Sequence, residues 1–448
     1  MNFSDVKEWN IQEGDVEIVF DSNDNIIWEK PNRDYSKEYL FIENKSPETA
    51  SVRIMKQMSY APTIEVLYSL NRRTWVSMGT TSTTAISAAI PSNSRMYLKA
   101  TANAWGTSLL YYNTIKVNKT FRIGGNIQSI LHSDNYRNYT NLTANYAFVS
   151  LFDTNSNLVD AKDLVLPTNN VTNYCYDYMF NGCSNLTETP VLPVRTMRQG
   201  CYSGMFRGCS KLVNAPELPA TTLAQDCYKG MFENCKELVT APVLYGGTMA
   251  IGCYSEMFKG CSKLVNAPVL NSNYLTNSCY SNMFYGCTSL TTAPALPAQS
   301  VSQGAYIGMF RNCTSLVTAP TLPATTLSDY SYMNMFQGCT NLVNAPALPA
   351  NTIREGCYQS MFKNCTSLTT APVISAPTYS LACCTEMFSG CTSLNSMTTY
   401  ANDISANNCT QDWLSGVSAT GDFYNLGGAT YTSGASGIPT GWTEHNSL

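Results

Sequence analysis

The chain has almost no histidine and little charge. Two histidines, His132 and His445, stand in 448 residues, and Asp, Glu, Lys and Arg together make up 13%. The side chain that titrates near neutrality, and that most often serves as general base or metal ligand, is therefore nearly missing. The 27 basic residues are scattered and the net charge is −4, so nothing supplies the basic surface that nucleic acid requires. No apolar run reaches the roughly 18 residues a membrane helix needs. The opening Met1-Asn2-Phe3-Ser4-Asp5-Val6-Lys7-Glu8-Trp9 has no apolar segment behind a basic one, so no signal peptide is expected. Phosphate loops, HExxH and GxSxG are missing too, and Gly124-Gly125-Asn126 reads as a strand-end turn rather than a nucleotide fingerprint. These absences predict a protein made in a cytosol, without enzymatic activity, catalytic residues, cofactor or metal, and neither bound to nucleic acid nor inserted in a membrane.

What the sequence does have is period. Met-Phe recurs every 26 residues at Met179, Met205, Met231, Met257, Met283, Met309, Met335, Met361 and Met387, and Trp413-Leu414 continues the register. About ten units without insertion, over residues 167–424, predict a solenoid in which each coil buries its apolar face only against its neighbours. In one unit Cys201, Met205 and Cys209 lie four apart, with Tyr202 and Phe206 beside them. That stripe predicts a short helix with one face inward. Only Gly or Asn stands before the second cysteine (Gly208, Asn234, Gly260), as at a left-handed helix cap. Met205, Phe206 and Cys209, Met231, Phe232 and Cys235, and Met257, Phe258 and Cys261 are thus expected to form a core ladder. Leu212 and Leu218 with their equivalents predict one short strand per unit. Pro216 and its equivalents cannot donate to a ladder and should hold that strand to about three or four residues.

All 18 cysteines fall in the array. A disulfide or zinc framework is one reading. Against it, the earlier cysteine is replaced by Ala305 and Ser331 and the later one by Val417, which would strand Cys313, Cys339 and Cys409. Such replacements suit small buried thiols. The residue after Phe varies along the array: Arg207, Glu233, Lys259, Tyr285, Arg311, Gln337, Lys363. This column is the candidate partner-binding stripe, and a solvated helix end with favourably placed cations is the plainer alternative.

The string Met-Phe-x-Gly-Cys-x-x-Leu followed by Leu-Pro resembles the BspA-type (Treponema-type) leucine-rich repeat, over roughly residues 158–424. The family usually carries Ala-Phe-x-x-Cys-x-x-Leu in a unit of about 23 residues. Here Met replaces Ala and an Ala-Pro is inserted. The resemblance implies an adhesive protein that contacts a host surface protein or glycan through its repeats. Residues 14–31, with Val16, Ile18, Phe20, Ile27 and Trp28, resemble openings of virion proteins from phages of gut Bacteroidales. Trp413-Leu414-Ser415-Gly416 and Gly437-Ile438-Pro439-Thr440-Gly441-Trp442-Thr443 resemble endings of repeat proteins from the same source. That resemblance implies a fibre or decoration subunit of a head or tail, made in the host cytoplasm and located in the virion. Its N-terminal residues would attach to other virion proteins of the capsid or tail. A bacterial cell-surface adhesin outside any virion is the alternative. A homo-oligomer would suit a fibre, although no heptad segment specifies one.

The expected architecture is an N-terminal all-β region followed by an α/β leucine-rich-repeat solenoid with one short strand and one short helix per unit. Residues 1–36 should form a β-hairpin for attachment, and 37–130 a β-sandwich of seven or eight strands. Residues 131–166 should cap the solenoid of 167–424, and 425–448 should close its far end. Trp105, Tyr111 and Tyr112 read either as a sugar-stacking platform or as core filling.

Overall fold

The computed structural model describes residues 6–12, 15–21, 26–30, 34–167 and 170–447. The chain divides into two compact units, residues 1–212 with 216–219 and residues 213–215 with 220–448.

The first unit opens with three antiparallel strands in the order β1 (Val6–Gln12), β2 (Asp15–Asp21), β3 (Ile26–Glu29). The expected hairpin is β2–β3, and its turn, 22–25, lies outside the described residues. Strand β1 was not expected, because Trp9 and Ile11 alone give a weak alternation. Eight strands follow, matching the expected number: β4 (Leu40–Asn44), β5 (Ala50–Lys56), β6 (Glu65–Ser69), β7 (Val76–Thr80), β8 (Ile86–Ile90), β9 (Arg95–Ala100), β10 (Asn113–Val117) and β11 (Phe121–Asn126). After the single-turn helix α1 (Ser129–His132) comes β12 (Leu158–Val165).

These strands form a three-stranded sheet, β10-β5-β8, and a six-stranded sheet, β12-β11-β4-β9-β6-β7. Every residue of β4 and β9 is buried, as in a strand covered on both faces. Strand β12 runs parallel to β11, and Asp160 of β12 bridges Glu188 of the following coil. Hydrogen-bonded pairing thus carries the N-terminal sheet into the start of the repeats. Buried charge pins this junction. Glu43 on β4 meets Arg95 on β9 at 2.6 Å and Arg122 on β11 at 2.8 Å, and Arg122 reaches Asp163 on β12. Burial alone would raise the Glu43 carboxyl, but the guanidinium groups of Arg95 and Arg122 outweigh it and bring it down to about 2.

The repeats differ from expectation first in their turns. Among the described residues the coils hold no helix; the segment from Asp226 to Cys235 is a run of tight turns. Every fourth residue is left-handed: Asp226 (φ 53°), Gly230 (58°), Asn234 (61°), then Gly252, Glu256 and Gly260, then Ser278, Asn282 and Gly286. An L-residue helix cannot pass through such positions. Backbone N–H groups alternate instead. Lys229, Met231, Glu233 and Cys235 donate three residues back to Asp226, Tyr228, Gly230 and Phe232. Tyr228, Gly230, Phe232 and Asn234 donate to Cys253, Ser255, Met257 and Lys259 of the next coil, at 2.7–3.1 Å. A helix would spend all of these donors on itself; the turn run spends half of them holding neighbouring coils together.

The strand of each coil is shorter than expected. Asn214, Thr240, Asn266, Thr292, Thr318, Asn344, Thr370 and Ser396 bridge in parallel, one to the next, and each bridge is a single residue. Ala-Pro follows each bridge residue from Asn214 to Thr370, and its proline has no N–H to extend the ladder. A second, two-residue pairing joins β13 (Ser300–Val301) to β14 (Thr326–Leu327). At the end of the array Ser396-Met397-Thr398-Thr399 has no proline. There the ladder lengthens into the parallel sheet β15 (Ser396–Thr399), β16 (Gly421–Asn425), β17 (Trp442–His445).

Candidate recognition surface

The frame is built from the recurring apolar residues. Met205, Phe206, Cys209, Met231, Phe232, Cys235, Met257, Phe258 and Cys261 all have no solvent exposure. Within the second unit the phenylalanine rings stack coil on coil at 5.5–5.8 Å, from Phe232–Phe258 to Phe362–Phe388. A parallel tyrosine column, Tyr228 to Tyr358, is spaced at 5.7–6.2 Å.

The eighteen cysteines are buried free thiols. The later cysteine of each unit has a defined role, because its Sγ–H donates to the phenylalanine carbonyl of the preceding coil. The distances are 3.0 Å for Cys261 to Phe232, 3.1 Å for Cys287 to Phe258 and 3.0 Å for Cys391 to Phe362. Burial pushes the Cys339 and Cys391 thiols up to about 12. They stay protonated, as a donor must, and lack thiolate reactivity.

The variable column after Phe is half-buried at Arg207, Lys259, Tyr285, Arg311, Gln337 and Lys363, and buried at Glu233. Its charges are turned on neighbours. Lys259 pairs with Glu233 of the preceding coil (3.3 Å) and with Glu256 (3.2 Å), and Lys363 pairs with Glu386 (2.8 Å). The Arg311 guanidinium lies over Tyr285 (5.3 Å) and that of Arg207 over Tyr178 (5.9 Å). With no helix here, no helix dipole acts on them.

Sequence reasoning missed a different surface. Beside the bridge residues of the second unit, Val213, Val239, Val265, Thr291, Val317, Val343 and Thr369 are all exposed. So are the bridge residues Asn214 to Thr370 themselves. Past the proline a third exposed column runs Val243, Val269, Ala295, Thr321, Ala347, Val373. Val243 is 87% and Val269 76% exposed. Within the second unit the three columns carry no charge, and their side chains are short and mostly β-branched; Glu217 holds the Val243 register one coil earlier, in the first unit. The signal was present as Leu-Val-Asn/Thr-Ala-Pro-x-Leu, whose inward leucines force the intervening residues outward.

Of the N-terminal candidates, the side chains of Val16, Ile18, Phe20 and Ile27 lie outside the described residues, and Trp28 is half-buried. The two histidines have other partners: His132 stacks on Tyr139 at 3.6 Å, and His445 pairs with Asp422 at 2.8 Å. Among the described residues no group of His, Cys, Asp or Glu is placed to hold a metal, and no helix is long and apolar enough to cross a membrane.

A family model of the BspA type leucine rich repeat region, six copies in length, matches residues 156–243, 176–317, 227–369 and 308–427. Together these matches cover more than half of the chain. The chain belongs to the BspA-type leucine-rich-repeat family. No curated protein and no solved structure matches it. In this BspA-type chain the recurring leucines and cysteines are therefore frame, and the residues that distinguish one coil from the next are where recognition is to be sought.

Proposed function

We propose that this chain is a non-enzymatic adhesion protein whose exposed Val and Thr/Asn columns form the contact face for a host surface protein or glycan. One observation carries the reading: valines at Val243 and Val269 stand in water within an uncharged, periodic strip, although the frame beneath needs none of them. Monomeric proteins rarely leave contiguous apolar surface uncovered without an interaction to make. Membership of a repeat family associated with surface adhesion supports the same reading. Binding of the purified chain to intact Bacteroidales cells tests it. The double substitution Val243→Glu with Val269→Glu should cut binding at least tenfold while leaving the melting temperature in place. Equal binding by the variant overturns the assignment.

The finer placement is in a phage particle, attached through the N-terminal strands to capsid or tail proteins. The resemblance of residues 14–31, 413–416 and 437–443 to proteins of such phages supports it. Mass spectrometry of purified particles checks it: the chain should appear at stoichiometric abundance, and its absence would leave the bacterial cell surface as its location.

A further inference from the structure

We infer that the N-terminal unit carries a second binding site, separate from the repeat face, for a neutral carbohydrate. A groove of about 560 Å³ is bounded by three loops around Tyr60, Asn103 and Tyr146, a volume typical of small-ligand sites.

The loops are tied from beneath. Asn113 is buried and donates its amide to Pro62 O (2.9 Å) and Trp105 O (3.1 Å), and the Trp105 N–H donates to Ala147 O (2.8 Å). Trp105 itself is fully buried with its indole N–H on Ile130 O, so it fills the core, while Tyr111 and Tyr112 are half-buried. Gly106 lets its loop pack close on buried Val149, since a side chain there would strike Val149 at 2.3 Å. The groove is therefore formed before any ligand arrives.

Its chemistry is aromatic and amide. Tyr60 is 79% exposed, yet its ring is held edge-on against Tyr111 at 5.5 Å. Tyr146, at φ 59°, stacks on Tyr174 at 5.0 Å and 3°. A large aromatic left in water but fixed in orientation offers a face on which the C–H side of a pyranose ring can lie. Exposed Asn103 and Asn145 stand beside it; the Asn145 carbonyl accepts the Asn173 N–H, which leaves its NH2 end for a sugar hydroxyl. Among the described residues no Asp, Glu, Lys or Arg lines the groove, and the Lys56 ammonium that donates to Thr63 of its wall is buried. An acidic sugar, a phosphate or a charged peptide would find no exposed counter-charge in this lining, whereas a neutral sugar needs none.

Affinity electrophoresis of the full chain through gels holding starch glucan, mannan, xylan or galactan tests the inference. At least one gel should retard the protein. Tyr60→Ala should weaken that retardation tenfold or more, Asn103→Ala several-fold, and Tyr60→Phe should retain it, all with unchanged melting temperature. The Val243→Glu, Val269→Glu protein should run like the parent, which separates this site from the repeat face. No retardation in any of these gels, or full retardation of Tyr60→Ala, would each overturn the assignment.

Discussion

Substituting Gly230 by alanine gives opposite signs for a helix and for the turn run seen here. Gly230 has φ +58°, and its N–H donates to Ser255 O at 2.8 Å. A Cβ built on it meets only the Glu233 side chain, at 3.5 and 3.9 Å. The methyl fits, and backbone strain is what remains. An L-residue in the left-handed region costs about 1–2 kcal/mol. Reduced freedom of the unfolded chain returns about 0.4–1 kcal/mol. The net loss is of the order of 1 kcal/mol, which lowers the melting temperature by about 2–4 °C in a unit of this size. In a helix the same change would stabilise by about 1 kcal/mol. Calorimetry on the full chain reads the difference, with Gly230→Asn as a control, since Asn tolerates this conformation. A melting temperature that rises in Gly230→Ala would refute the turn geometry.

Phe258→Ala removes a ring with no exposure that stacks on Phe232 and Phe284. It should cost roughly 3–5 kcal/mol in denaturant unfolding, and an unchanged transition would contradict the stack. Glu43 is held below its ordinary range, down to about 2. Its stabilising contribution is complete above pH 4.5 and lost as pH falls toward 2, amounting to roughly 3 kcal/mol. Acid titration should show Glu43→Gln less stable near neutrality, with the gap to the parent closing below pH 3; a gap that persists would remove the ion-pair account. Thiol titration of native protein should find few reactive groups, and denatured protein that was never reduced should release nearly all 18. A large deficit after denaturation would mean disulfides.

The period, its register and the buried identity of Met-Phe and Cys were legible because stacking repeats a requirement at fixed intervals. The helix was misread from the same residues. Cys201, Met205 and Cys209 are spaced at four, and a helical stripe at that spacing drifts by about 40° per step. The better clue was on the other face. Gly200, Gly204 and Gly208, and again Gly304 and Gly308, mark every fourth residue as left-handed. Only the last of each triplet was recognised, as a helix cap. Non-glycine members obscured the rest: Tyr178 lays its ring across Gly204, and Asn282 reaches over Gly308. One side chain and one glycine thus share a site between coils. The binding stripe was placed after Phe because variation draws attention there, but half-burial and local ion pairs occupy that column. The exposed valines recur with little variation, so nothing in the sequence singles them out.

The proline two residues past each bridge residue from Asn214 to Thr370 has a consequence beyond local geometry. Stacked, in-register parallel segments rich in Val and Thr are the arrangement from which cross-β fibrils grow. Interrupting each rung after one residue denies a neighbouring molecule a continuous template. Copies of the coil can therefore be multiplied over evolutionary time without a rising tendency toward amyloid. Genetic duplication or loss of a coil then adjusts the reach of the protein at little risk to its solubility.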